Sequence, residues 1–397
     1  MKNPDCSTLI VYILILLFTA GCTTKNDGAN DTSALDKISY EIVKVDSFQV
    51  NNFTRINILD YSPEEKIYLG YSLTEDDILE ISEDGEILAR EHKKGDGPGL
   101  YGNWNPIGLG FGPDGQRIVE LPFQVISYDK NYGILHQHRI MSPLPIRANT
   151  PLGRPPYFQN NDTTKLLVGP SNYLTATYLI HDQEGKDTLQ NFYQLNLQSG
   201  AVKSVVPYES SSIYNSTENI YTELMGKSFF IDHERNELVL VHDLERKILI
   251  YNLPDFSLNR SIPISHSEFK TYSPVPVGTS FSDESASALN RLSARNQKLF
   301  NLGNTIYILQ YFTGITQAEF DSRHTEEKPY VGKFDTKEQR ILVFRNGKQV
   351  PQELAGIVGS LVLSLPDNKI LVQERENSEI EEEFTRFSIY QLRSKSP

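Results

Sequence analysis

An all-β fold is predicted by three features of this 397-residue chain. Apolar residues recur with period two in short runs, the spacing of half-buried strands. Clusters of Asp, Gly, Asn and Pro separate the runs. The aromatic content lies in 21 Tyr and 19 Phe, with a single Trp, and Tyr and Phe fit a pleated surface. Hydrophobic residues are 39% and charged residues 22%, enough to bury a core. Lys and Arg number 38 against 51 Asp and Glu, a net charge of -13. That balance excludes the basic face that a nucleic-acid partner needs. It also excludes attachment to anionic lipid by charge alone. Two cysteines rule out a disulfide framework and a Cys-rich zinc module.

The first residues read as an address. Residues 9–18 (LIVYILILLF) form an unbroken apolar run, too short for the ~20 residues of a membrane span and within the ~7–15 of a signal-peptide core. Lys2 precedes it, with Asp5 opposing that charge, and Thr19, Ala20, Gly21 and Cys22 follow. The segment resembles the lipobox of bacterial lipoproteins, where small residues precede a cysteine that receives diacylglycerol. Thr19 stands where Leu is usual. The resemblance implies a leader over 1–21, lipidation of Cys22, a flexible tether over 22–36 and one folded domain over 37–397. The tether is rich in Thr, Asn, Asp, Ser and Gly, with nothing to pack. Cys6 would leave with the leader, so the mature chain would hold no free thiol, as suits an oxidising envelope. The expected location is the cell envelope, anchored by lipid to a membrane, the outer one on its periplasmic or surface side. A plain secretory signal and a membrane anchor over 9–20 are the alternatives.

Strands then follow in order. Ile38, Tyr40 and Ile42 alternate with polar neighbours, and residues 66–71 (KIYLGY), 77–81 (DILEI) and 86–89 (EILA) form the next runs. Tight turns are expected at 82–85 (SEDG), 112–115 (GPDG), 129–132 (DKNY), 198–200 (QSG), 254–256 (PDF), 346–348 (NGK) and 366–368 (PDN). Aligning the runs defines six units: 53–93, 107–140, 157–208, 228–264, 297–350 and 358–392. The last unit holds only three strands, and the strand over 38–50 can complete it. Six such units closed by an N-terminal strand predict a six-bladed β-propeller, whose ring leaves no free edge. Two β-sandwiches, or a ring of five or seven blades, are the competing arrangements. Without its leader the chain averages about 63 residues per blade, above the ~40–50 of compact repeats, so long loops are expected. The largest covers 280–299. There Ser282 is the expected N-cap, with Asp283 and Glu284 in the first turn and Ala286, Leu289 and Leu292 at helical spacing. A second short helix is expected over 216–225.

Gly95, Asp96, Gly97, Pro98 and Gly99 carry a family resemblance. The chain resembles the TolB-like six-bladed β-propeller lipoproteins of Gram-negative bacteria, which include domains of unknown function. Their first inter-blade loop bears a Gly-x-Gly-Pro-Gly signature, followed by an acidic residue and an aromatic. Leu100 replaces the acidic residue and Tyr101 keeps the aromatic. The resemblance implies the fold and no catalytic residues. Read physically, the glycines open backbone angles closed to other residues and Pro98 stiffens the turn. No Gly-Lys-Ser/Thr follows, so a structural crossover is expected rather than a phosphate cradle. Trp104, just beyond it, is expected to be buried.

Motifs for chemistry are sparse. His136 and His138 share one face of a strand, without a third metal ligand at recognisable spacing. Asp232–His233 and His242–Asp243 bracket one hairpin and are the candidate acid–base pair. Asp60, Asp232 and Asn304 are candidates for the central-channel ligands of a calcium lactonase. Six Glu within 374–383 (374, 376, 379, 381, 382, 383) read as a solvated hairpin tip, or as a loop that docks a partner or a cation. No nucleophile elbow, zincin or calcium-loop motif occurs. No cofactor and no metal are expected. The expected function is a lipid-anchored, non-enzymatic module that binds an envelope protein or a small ligand. A scaffold that docks peptides is a second reading, and a metal-dependent hydrolase or lactonase working in the channel is the alternative.

Overall fold

The chain builds six antiparallel four-stranded sheets, one per blade. The computed structural model describes residues 38–140, 153–168 and 192–395, apart from 217, 281 and 378–381. The leader, Cys22 and the tether lie outside the described residues. From the innermost strand outward, blade 1 is Ile56–Ser62, Ile67–Ser72, Asp77–Ser82 and Ile87–His92. Blade 2 is Gly108–Phe111, Arg117–Leu121, Gln124–Tyr128 and Ile134–Arg139. Blade 3 is Tyr157–Asn160, Thr163–Val168, Phe192–Asn196 and Val202–Val205. Blade 4 is Lys227–Asp232, Glu237–His242, Lys247–Asn252 and Leu258–Pro263. Blade 5 is Arg295–Asn301, Ile306–Phe312, Gln339–Arg345 and Lys348–Ala355. Blade 6 takes Ser360–Leu365, Lys369–Gln373 and Phe384–Lys395, and Ser39–Asn51 is its outermost strand.

Period two explains the sheets. Second and third strands are buried on both faces between neighbouring blades, as in Ile67–Ser72 and Glu237–His242. Outermost strands alternate, as in Ile87–His92 and Ile134–Arg139. The cores are layers between blades: Leu69, Leu109 and Ile126 join blades 1 and 2, and Val239, Ile250, Leu309 and Leu342 join blades 4 and 5. All seven expected turns fall between strands. Asp114, Asn346, Asp367 and Asn368 take positive φ there, the conformation these turn residues tolerate best after Gly.

The helices depart from expectation in three ways. Helix α1 spans Glu284–Leu292 and buries Ala286, Leu289 and Leu292, but Asp283 is its N-cap and accepts from the Ser285 N–H. The Ser282 hydroxyl is instead engaged with Ser280 at 2.9 Å. Among the described residues of 216–225 no helix forms. Asn219–Ile220 pairs with Val275–Pro276, and Glu223 sits at φ 58, a left-handed turn that breaks any helix. The second helix, α2, spans Gln317–Arg323, opened by a Thr316–Glu319 capping box. It lies between two strands of blade 5 rather than in an inter-blade loop.

Candidate functional site

The ring has two unequal faces. Innermost strands all start on one face, so among the described residues the connections from blade to blade, and those between a blade's second and third strands, belong to that face. Both helices and the stretches 93–107, 206–226, 264–294 and 313–338 belong to this loop face. The opposite face carries tight hairpins, and Ser39, paired with Lys395, begins there.

A central channel of about 780 Å³ runs between the faces, lined by inner strands of blades 1, 4, 5 and 6 with Gly153 and Arg154. That volume suits a small ligand. The walls are mixed: Leu59, Phe230, Phe300 and Val362 alternate with Asn57, Ser228, Lys298 and Ser364. Asp60 is the one carboxylate in the described lining. Its Oδ2 accepts from the Phe111 N–H at 2.8 Å and pairs with Arg154 Nε at 3.1 Å, while its Oδ1 accepts from the Tyr61 N–H at 2.9 Å. Burial pushes this carboxyl up and Arg154 opposes that shift. Asp60 therefore ties blade 1 to blade 2 and to the entry into blade 3. Asp232, on the far side of the ring, accepts from the Glu234 and Arg235 N–H groups and pairs with the Arg235 guanidinium at 2.8 Å. Asn304 lies in a turn of the hairpin face at φ 48. The three lie on blades 1, 4 and 5 in turn. Among the described residues no group of three or more His, Cys, Asp or Glu is placed to hold a metal ion.

The proposed acid–base pair is also split. Asp232 faces Glu237 across the hairpin, and His242 faces Lys227. His233 therefore lies at the hairpin face and Asp243 at the loop face, about 17 Å of strand apart. His136 and His138 do share a face, rings stacked at 6.2 Å, and His138 Nε2 contacts the Leu197 carbonyl at 2.6 Å.

Near blades 4 and 5 the loop face encloses several ionisable groups. Burial pulls the Lys227 ammonium down to about 7, and its Nζ lies 4.3 Å from the Phe192 ring centre. Burial pushes Asp243 up to about 6, against the pull of Arg295 and the Gly226 N–H. Arg295 donates to Asn290 Oδ1 at 3.0 Å, and Asn290 in turn donates to Glu223. This chain of side chains fastens α1 to the ring.

His266 is a defined proton site. Asn296 donates its Nδ2 to the His242 and Glu245 carbonyls, so its Oδ1 must accept from His266 Nε2 at 3.0 Å. Burial pulls the imidazole down to about 4. The folded protein keeps it neutral where the unfolded chain protonates it, so its contribution is complete above pH ~6.5 and lost as pH falls through 4. His266→Gln is expected to remove about 1–3 kcal/mol of the stability difference between pH 7 and pH 4. Urea unfolding across that range checks this, and an unchanged pH profile contradicts it.

The Gly95–Gly99 loop joins blades 1 and 2. Gly95 and Gly102 exchange backbone hydrogen bonds at 2.9–3.0 Å, closing a small ring over Tyr101, which is buried and meets the Tyr71 hydroxyl at 3.2 Å. Gly97 has φ 152 and Gly99 φ 80. Trp104 is 55% exposed rather than buried and packs edge-on against Phe123 at 5.4 Å. The acidic run is half engaged: Glu374 pairs with Lys44, Glu376 with Arg55 and Glu382 with Arg386. Residues 379 and 381 lie outside the described set.

Sequence reasoning missed an exposed apolar arc. Phe53, Leu73, Trp104, Phe123, Phe334 and Val358 are all exposed, and each lies in a loop-face connection. Large apolar residues set among Gly, Pro and polar loop residues were the available signal.

These features define a six-bladed β-propeller with one elaborated face. No family model matches the chain, and no curated protein matches it. It is similar in structure to a member of the DUF4221 family from Bacteroides vulgatus, at 12% identity and TM-score 0.64, covering 90% of this chain and 100% of that one. It is also similar to a protein described as exported from Bacteroides fragilis, at 12% identity, 91% and 97% coverage and TM-score 0.48. The Cps50 propeller domain of Myceliophteria thermophila matches at 9% identity, 88% and 99% coverage and TM-score 0.42. At these identities the likeness is one of fold. Among the described residues no helix is long and apolar enough to cross a membrane.

Proposed function

We propose that this protein is an envelope lipoprotein of the TolB-like kind, whose propeller binds another envelope protein through its loop face without catalysing a reaction. One observation carries the reading: the long connections emerge on one face while Ser39 begins on the other. A tether from a lipidated Cys22 would then join the domain at Ser39, on the face opposite the long connections. Its 16 residues to Ile38 reach at most ~55 Å. Two acyl chains hold such an anchor stably. Cys22→Ala is expected to move the protein from the membrane fraction to the soluble fraction, read by fractionation and immunoblot. Retention in the membrane would overturn the lipid anchor. A channel hydrolase needs metal ligands, and the candidate carboxylates Asp60 and Asp232 are already held by Arg154 and Arg235. Added calcium or zinc is therefore expected to leave the melting temperature unchanged, since only a ligand of the native state raises it. A clear rise would favour the hydrolase.

A further inference from the structure

Exposed apolar residues are not spread evenly over the ring. The described residues include fourteen large ones. Eight lie in loop-face connections, six lie in outermost strands, and none lies in a hairpin of the opposite face. The four exposed Phe and Trp side chains among the described residues, Phe53, Trp104, Phe123 and Phe334, fall in one sector. That sector runs round the ring from blade 5, through blade 6 and blade 1, to blade 2, and Leu73 and Val358 fill its gaps. Phe53 is 79% exposed and Val358 63%; singly such residues are ordinary on a surface, and it is their gathering on one face that marks an interaction site.

Charge is as uneven. Among the described residues, loop-face connections carry 21 Asp and Glu against 12 Lys and Arg, while the strands and hairpins from Ser39 onward carry 21 of each. Glu374, Glu376, Glu382 and Glu383 lie between the second and third strands of blade 6, in the middle of the aromatic sector. There Arg375 lies 5.2 Å from the Phe334 ring centre, and Arg55 pairs with Glu376 at 3.3 Å. A cleft of about 530 Å³ opens between them, walled by Phe334, Phe384, Glu374 and Glu382.

We infer that this sector docks a basic polypeptide segment, one that presents Lys or Arg together with large apolar side chains. Aromatic anchors inside a charged rim are the pattern of an interface core, and the acidic face selects a partner of opposite sign and speeds its approach. The inference rests on the proposed binding function and names the partner's chemistry.

The test uses the purified full-length chain and three fluorescent twelve-residue peptides. One alternates Lys with Leu and Phe, one carries Glu for every Lys, and one carries Ser for every apolar residue. The first peptide is expected to bind at low salt and weaken as salt rises. The other two should bind about tenfold or more weakly. The Phe53→Ser, Trp104→Ser double variant should weaken the first peptide about tenfold, and Leu88→Ser, an exposed change on an outermost strand, should not. A melting curve confirms that each variant folds, and Val358→Ser replaces the double variant if that one does not. Equal binding of the acidic peptide, equal binding of the Ser peptide, indifference to the loop-face changes, or no binding at all would each overturn the inference. In the last case a partner cross-linked in cells would still uphold the binding function, so the two failures are distinguishable.

Discussion

Deleting Ser39–Asn51 is expected to abolish cooperative unfolding of the propeller. This strand pairs along its length with Phe384–Lys395, from Ser39 opposite Lys395 to Asn51 opposite Phe384. Its two ends fasten different neighbours. Tyr40 exchanges backbone hydrogen bonds with the Gln352 side chain of blade 5 at 2.7 and 3.1 Å. Phe48 stacks on Tyr68 of blade 1 at 5.3 Å and on Phe387 at 5.2 Å, and Val50 is fully buried. Burying Tyr40 and Val50, with Phe48 half-buried beside them, contributes about 4–7 kcal/mol, a large share of the ~5–15 kcal/mol by which a domain of this kind is stable. Removal also bares the edge of Phe384–Lys395, an invitation to aggregate. Urea unfolding of the truncated chain should show a broad, shallow transition, restored in part by adding the 39–51 peptide. A truncated chain that unfolds as sharply as the whole, at the same midpoint, would refute ring closure as the source of cooperativity.

Arg117→Ala should cost about 3–5 kcal/mol, the penalty for stripping the partner from buried charges. The Arg117 side chain is 2% exposed and joins two blades: Nε meets Glu80 at 2.8 Å and a terminal nitrogen meets Glu65 at 3.0 Å. Tyr132 donates to the same Glu80 oxygen at 2.9 Å. Burial alone would pull the guanidinium down, yet the two carboxylates more than reverse that and raise its pKa. Without Arg117, Glu80 keeps only a phenol, while Glu65 retains Lys130 at 2.6 Å. Arg117→Met combined with Glu80→Leu should recover much of the loss, because a well-packed apolar pair can replace a buried ion pair. Denaturant midpoints of the single and double variants measure both effects, and a single-variant cost below about 1 kcal/mol would show the pair to be peripheral.

The strands were legible because their signal is local. Alternation and turn chemistry sit within ten residues of one another, and the unpaired sixth unit exposed the closure by simple arithmetic of strands. Helix α2 went unread: Thr316 and Glu319, three residues apart, are its capping box, but its seven residues hold little periodicity. The false helix over 216–225 arose because helical spacing says nothing of Ile220 pairing with Val275. What could not be read were relations across the ring. Lys44 and Glu374 lie 330 residues apart in sequence and 3.1 Å apart in space. Asp232 and Asp243 looked like neighbours bracketing a hairpin, yet strand direction sends them to opposite faces. The apolar arc is the extreme case: Phe53, Trp104 and Phe334 share a sector only because each ends up in a connection on the same side.

The central claim, that the loop face of an anchored propeller meets an envelope partner, is tested most directly by site-specific photo-cross-linking in intact cells. A photoreactive residue would replace Trp104 on the loop face, and separately Asn131 in a hairpin of the opposite face. The account predicts one discrete adduct from position 104, lost in Cys22→Ala, and none from position 131. An adduct from position 131 alone, or none from either, would contradict it.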